Sequence, residues 1–165
     1  MEKLLLVDPE KCIGCRTCEM VCSVKHKGYT DPTKARVQVL KYNRMGDYYY
    51  NIPMVCQQCE TPMCMEVCPT TAINKNPETG AYLVDTNKCV GCRLCTVACP
   101  LGAIYVDPED KTAFKCDLCD GDPLCAKFCL QEAITFVPYT RGSMVQRREA
   151  AKNLSERLLL VAGGE

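Results

Sequence analysis

Sixteen of the 165 residues are cysteine, and they fall into four groups of four with none left over. Group one is Cys12, Cys15, Cys18 and Cys22, and group three is Cys89, Cys92, Cys95 and Cys99; both read C-x2-C-x2-C-x3-C, and Pro100 follows the second of them. Group two, Cys56, Cys59, Cys64 and Cys68, ends in Pro69 and has four residues in its central gap. Group four, Cys116, Cys119, Cys125 and Cys129, has five. Three Phe, eight Tyr and no Trp leave little material for an apolar core. Metal binding can make up the difference, because its free energy is also folding free energy. A secreted chain this rich in cysteine would be read as a disulfide scaffold. The start, Met1-Glu2-Lys3-Leu4-Leu5-Leu6-Val7, is closed by Asp8-Pro9. It has no secretory h-region, cleavage site or twin arginine, so a cytoplasmic location is expected. Thiols stay reduced there, and a dense cysteine pattern points to metal.

The run C-x2-C-x2-C-x3-C-P is the bacterial ferredoxin signature for [4Fe–4S] ligation. Three thiolates within seven residues wrap one face of a cluster, and the fourth, a helical turn later, reaches the other cluster of a pair. Gly14 and Gly91, each inside a first loop, let backbone N–H groups approach inorganic sulfide. Structural zinc fits less well, since it takes two C-x2-C pairs a dozen or more residues apart. Disulfides fit neither the spacing nor the compartment.

Internal repeats suggest how the groups pair. Tyr82-Leu83-Val84-Asp85-Thr86-Asn87-Lys88 before group three echoes Leu5-Leu6-Val7-Asp8-Pro9-Glu10-Lys11 before group one. Ala72-Ile73, Ala103-Ile104-Tyr105-Val106 and Ala133-Ile134-Thr135-Phe136-Val137 each leave a group as a strand. Asn76 to Gly80 is a turn, so Ala72 to Val84 is predicted to be a hairpin. Groups two and three are therefore joined as in a complete two-cluster ferredoxin, and groups one and four supply the start and finish of another. The expected fold class is α+β, two nested ferredoxin-like modules. A polyferredoxin domain spans 1–137, with an outer module of 1–30 and 108–137 and an inner module of 53–107; a helical tail occupies 138–165. Four [4Fe–4S] clusters follow. Cluster A takes Cys12, Cys15, Cys18 and Cys129; cluster B takes Cys116, Cys119, Cys125 and Cys22. Cluster C takes Cys56, Cys59, Cys64 and Cys99; cluster D takes Cys89, Cys92, Cys95 and Cys68. A sequential pairing, one with two and three with four, stays open and makes less of the repeats.

Cys12 to Cys22, Cys56 to Ile73, Lys88 to Ile104 and Lys115 to Cys129 together resemble a known family. It is the polyferredoxin-like family of the dimethyl sulfoxide reductase iron–sulfur subunit, whose members accompany molybdenum or tungsten oxidoreductases. The resemblance implies the nested pairing and a near-linear wire of four clusters. Asp120 to Leu124 make a shorter group-four loop than many such subunits have, and Ser23 and Leu130 stand where groups one and four lack the proline. The short chain resembles the compact subunits paired with tungsten aldehyde:ferredoxin oxidoreductases.

No catalytic site of its own is expected. Every cysteine is assigned, no phosphate-binding glycine loop is present, and the single histidine, His26, sits in a polar stretch expected to be a solvated loop. Arg36 to Leu40 and Tyr48 to Ile52 read as strands around an Arg44-Met45-Gly46-Asp47 turn, with the tyrosines packing the hairpin. Met54, Met63 and Met65 are expected to fill gaps beside a cluster. Met144 to Val161 reads as a helix ended by Gly163-Gly164. Its stripe of Ala151, Leu154, Leu158 and Val161 suits the chain's own domain or a partner subunit. The formal net charge of zero argues against a nucleic-acid partner. No apolar run approaches the roughly 20 residues of a membrane span. Four clusters bring the holo-protein to about −8, and Arg16, Lys88, Arg93, Lys111 and Lys115 are placed to set their potentials. The expected function is electron transfer, under anaerobic conditions, between a catalytic Mo or W oxidoreductase subunit and a second redox partner, a further subunit or a ferredoxin. The alternative is a free-standing diffusible polyferredoxin.

Overall fold

The computed structural model describes residues 3–44 and 48–162, with the side chains at 43, 44, 48, 49, 154 and 157–162 outside that description. The chain is α+β: the described strands form four separate two-stranded antiparallel sheets, accompanied by five α-helices. Strand β1 (Lys3–Val7) pairs with the last strand, β8 (Ile134–Pro138), so that Lys3 faces Pro138 and Val7 faces Ile134. The beginning and end of the cysteine-bearing chain are thereby zipped together, and the Asp8 N–H extends the ladder to the Ala133 carbonyl at 2.8 Å.

Helix α1 (Thr17–Lys27) carries Cys18 and Cys22. Glu19, Cys22 and Ser23, at helical spacing, form its buried stripe, and Lys25, His26 and Lys27 end it against Gly28 in the left-handed region. The next hairpin, β2 (Val37–Arg44) with β3 (Tyr48–Val55), buries Val37, Val39, Asn51, Pro53 and Val55 by strict alternation. Its expected turn at Met45-Gly46-Asp47 lies outside the described residues. Hairpin β4 (Ile73–Lys75) and β5 (Tyr82–Val84) falls where the sequence predicts one. Its turn is closed by the Gly80 N–H on the Asn76 carbonyl at 2.9 Å. Hairpin β6 (Ile104–Val106) and β7 (Ala113–Lys115) then joins group three to group four. Single-turn helices α2 (Met63–Glu66), α3 (Leu94–Ala98) and α4 (Leu124–Lys127) carry Cys64, Cys95 and Cys125.

Two small cores hold these pieces, and both contain sulfur. Leu5, Val37, Val55, Leu118 and Ile134 pack with Cys22, Cys116 and Cys125 in one. Ile73, Tyr82, Ile104 and Ala113 pack with Cys95 in the other. A buried ion pair, Lys34 Nζ to Asp107 Oδ1 at 2.7 Å, ties the approach to β2 to the β6–β7 hairpin. Hydrogen bonding to Lys34 holds the Asp107 carboxyl below the ordinary carboxylate range, and Asp107 raises Lys34 in return. Their contribution is full between the ordinary values of 3.8 and 10.5. It is lost below that window as Asp107 protonates and above it as Lys34 deprotonates.

Helix α5 (Arg141–Ala162) begins three residues before the predicted Met144. The reason is a reciprocal cap: the Ser143 hydroxyl accepts the Thr140 N–H at 2.9 Å, and the Thr140 hydroxyl accepts the Ser143 N–H at 3.2 Å. The first half of α5 rests on the chain itself, with Arg147 Nη2 donating to the Gln57 carbonyl at 3.0 Å. Of the predicted stripe, Ala151 is exposed. Leu154, Leu158 and Val161 have side chains outside the described set, and Gly163-Gly164 lies outside the described residues.

Candidate metal centres

Each group opens with the same backbone gesture. The residue before the second cysteine is left-handed in all four groups: Gly14 (φ 71°), Gln58 (φ 47°), Gly91 (φ 66°) and Leu118 (φ 58°). This turns the C-x2-C loop so that its two thiols face one centre. The same conformation recurs three residues after the fourth cysteine at Thr71, Gly102 and Glu132. There it aims the N–H of the following alanine back at the thiol: Ala72 N to Cys68 Sγ at 3.3 Å, and Ala103 N to Cys99 Sγ at 3.4 Å. Arg36 N, just before β2, to Cys22 Sγ at 3.2 Å and Ala113 N, on β7, to Cys89 Sγ at 3.3 Å add two more such bonds. Glycine is required at position 91, where a Cβ would stand 2.2 Å from the Lys111 carbonyl oxygen. Gly91→Ala should therefore lower iron content, whereas Gly142→Ala, which meets only ordinary contact on α5, should leave it unchanged; iron per chain checks both.

The structure gathers cysteines across groups. Cys12, Cys15, Cys18 and Cys129 line one cavity. Cys22, Cys116, Cys119 and Cys125 line a second, and Cys68, Cys89, Cys92 and Cys95 a third. Cys59 and Cys64 both lie within electrostatic range of Cys56 and Cys99. In each set, three thiols come from one group and one from another. The sets also neighbour one another in order. Cys125 senses Cys18, Cys116 senses Cys56, and Cys95 senses Cys64.

Burial makes these poor places for a free thiolate. It pushes the Cys18 thiol up to about 12 with help from the nearby Glu19 carboxylate, Cys116 up to about 12, and Cys95 up to about 11. Cys125 rises as well, chiefly by burial. Two thiols go the other way. The Thr17 hydroxyl and N–H pull Cys15 down, and against the upward push of burial the Ala72 N–H and Thr70 hydroxyl pull Cys68 down. Four soft sulfur donors around a mostly dry centre, ringed by N–H donors, fit an iron–sulfur cluster: iron supplies the charge that turns these thiols into thiolates.

The cations proposed from the sequence divide sharply. Arg16, Lys88, Arg93 and Lys111 are exposed, whereas Lys115 is 3% exposed. His26 is a correction to the expected solvated loop. It lies on α1 with its Nε2 3.9 Å from Cys119 Sγ and 3.6 Å from Asp117 Oδ1, and burial lowers its pKa, with Arg36 adding to the effect. A histidine at the last turn of an amphipathic helix faces inward or outward by register alone, and no local signal marked which. Sequence reasoning also missed Asn51, whose Nδ2 donates to the Cys12 carbonyl at 3.2 Å, and Gln58. Gln58 donates to the Cys116 carbonyl at 2.9 Å and accepts from the Tyr82 N–H at 3.0 Å. Its position, matching Gly14 in the repeat, was the available clue.

Comparison with known proteins agrees with this chemistry. A family described as 4Fe-4S dicluster domain matches residues 47–139, and a second of the same description matches 11–72. The chain is 38% identical to the aliphatic sulfonate oxidoreductase polyferredoxin-like subunit of Pyrococcus furiosus, over 76% of this chain and 70% of that one. It is 37% identical to the putative electron transport protein YsaA of Escherichia coli, over 81% and 88%. It is 36% identical to the NADH-dependent phenylglyoxylate dehydrogenase subunit beta of Aromatoleum evansii, over 79% of this chain but 29% of that longer protein.

Proposed function

Because the chain belongs to the 4Fe-4S dicluster family, a family of iron–sulfur electron-transport proteins that serve oxidoreductases, we propose that it is a four-cluster electron-transfer subunit. Its partners are a catalytic molybdenum or tungsten oxidoreductase subunit and a second redox protein. The ligand partition is the nested one, clusters A to D as given above, in an outer module of 1–30 with 108–137 and an inner module of 53–107. The observation that carries this reading is the mixing of groups within one site, Cys129 beside group one and Cys22 beside group four. The order of neighbouring sets, from Cys18–Cys125 through Cys116–Cys56 to Cys64–Cys95, supports a single line from A to D.

A bound [4Fe–4S] cluster supplies a one-electron couple at each site. The protein's work is to hold the four thiolates, exclude water from Cys116 and Cys125, and present backbone N–H groups to sulfur, which sets the potential. Cys15, Cys59 and Cys92 are exposed and give three of the sites a solvent-facing edge where a partner can approach. Among the described residues no helix is long and apolar enough to cross a membrane; the proposed location is the cytoplasm.

Anaerobic purification with Fe, Mo, W and Zn measured on the same fraction tests this. About sixteen Fe per chain beyond any in a partner, with Mo or W co-eluting in fixed proportion, is the expected result. Iron without Mo or W would favour the diffusible carrier. Stoichiometric Zn with little Fe would overturn the electron-transfer reading.

A further inference from the structure

Lys115, on β7, stands apart from the other buried charged groups. Lys34 is paired with Asp107 and Glu109, and Glu19 lies beside Arg16. Lys115 donates only to neutral oxygens: the Tyr82 carbonyl at 2.7 Å, the Cys116 carbonyl at 3.1 Å and Gln58 Oε1 at 3.3 Å. Its three N–H groups are used, and no carboxylate pairs with it among the described residues. An ammonium in a dry interior without a counter-charge costs more than hydrogen bonds to neutral acceptors return. The missing negative charge has an evident source. Lys115 lies within electrostatic range of the Cys64 and Cys116 thiols, which belong to different sets. Its partner Gln58 sits between Cys56 and Cys59 and also holds the Cys116 carbonyl. The ammonium therefore occupies the joint between the second and third sets in the line, and each set, once loaded with an oxidised cluster, carries −2.

We propose that Lys115 is the fixed counter-ion of the two middle clusters, B and C, and that its charge holds both at a higher potential than they would otherwise have. A positive charge nearby favours the reduced, more negative state of a cluster, and burial protects that interaction from the screening that weakens it at exposed Lys88. The electron is then drawn toward the middle of the line. This inference rests on the four-cluster reading, so iron content is measured alongside potential.

The test is an anaerobic redox titration of the holo-protein followed by electron paramagnetic resonance, comparing Lys115→Met, Lys115→Gln, Lys115→Arg and Lys88→Met. In both neutral variants two of the four one-electron components should move to more negative potential while the other two stay. Lys115→Arg, which keeps the charge, should retain wild-type potentials, and so should Lys88→Met. Full iron with unmoved potentials in the neutral variants overturns the proposal, and so does an equal shift in the arginine variant, which would place the effect in packing. Should neither neutral variant load iron, the proposal requires that the arginine variant load; equal loss in all three overturns it. A wild-type chain with fewer than four one-electron components would instead defeat the four-cluster reading, a result that iron content registers independently.

Discussion

Replacing Cys99 by alanine is expected to cost the protein the same cluster as replacing Cys64, although the two cysteines belong to different groups. Each single variant should lose about a quarter of the iron, and the double variant no more than either alone. Cys64→Ala with Cys95→Ala, which touches two sites, should lose about half. The reasoning is positional. Cys64 and Cys99 lie within electrostatic range of each other, and Cys99 already receives the Ala103 N–H through its own post-cysteine turn. If every group held its own cluster, the losses at Cys64 and Cys99 would add. Iron and acid-labile sulfide per chain, measured on anaerobically purified protein, distinguish the two arrangements.

Stripping the iron should unfold most of the chain. Each core contains cysteine sulfur: Cys22, Cys116 and Cys125 in one and Cys95 in the other. Helices α2, α3 and α4 are four or five residues long, far below the length at which a helix stands unaided. Three of the sheets are hairpins or pairings of three to five residues per strand, again too short to persist alone. The net stability of a domain is only about 5–15 kcal/mol, and structural metal sites contribute free energy of that order each. Chelation under reducing, anaerobic conditions should therefore remove most of the strand signal in far-ultraviolet circular dichroism and the dispersion of the amide proton spectrum. Iron and sulfide should restore both. A chain that kept its spectrum after complete iron loss would show that the apolar parts of the two cores suffice.

How much of this was legible beforehand follows from the kind of signal involved. The hairpin at Ala72 to Val84 was plain because a turn sequence sits between two β-branched stretches. The repeats suggested that groups one and four belong together, and β1 with β8 lays the two ends of that stretch side by side. Hairpin β6–β7 was half-seen, since Ala113-Phe114-Lys115 is too short to announce itself as a strand. Facing was harder than secondary structure. His26 was expected in water and lies against Cys119, while five cations looked alike and only Lys115 is buried. Such facts depend on which neighbour the chain meets after a long excursion, and no local pattern encodes that. The left-handed turns at Gln58 and Leu118 were hidden for another reason. Glycine advertises that conformation, and these residues reach it because Gln58 is tied by hydrogen bonds and Leu118, 1% exposed, is wedged in the core.

The pairing of first strand with last also fixes a timetable. Val7 has no partner until Ile134 has been synthesised, and at roughly 5–20 residues per second the ribosome takes of the order of ten seconds to deliver it. On the nested partition proposed above, Cys12, Cys15 and Cys18 would wait through that interval without Cys129, while groups two and three would already have each other. That partition would mature from the inside outward. Its first group, the earliest made, would then be the last closed and the longest exposed to oxygen.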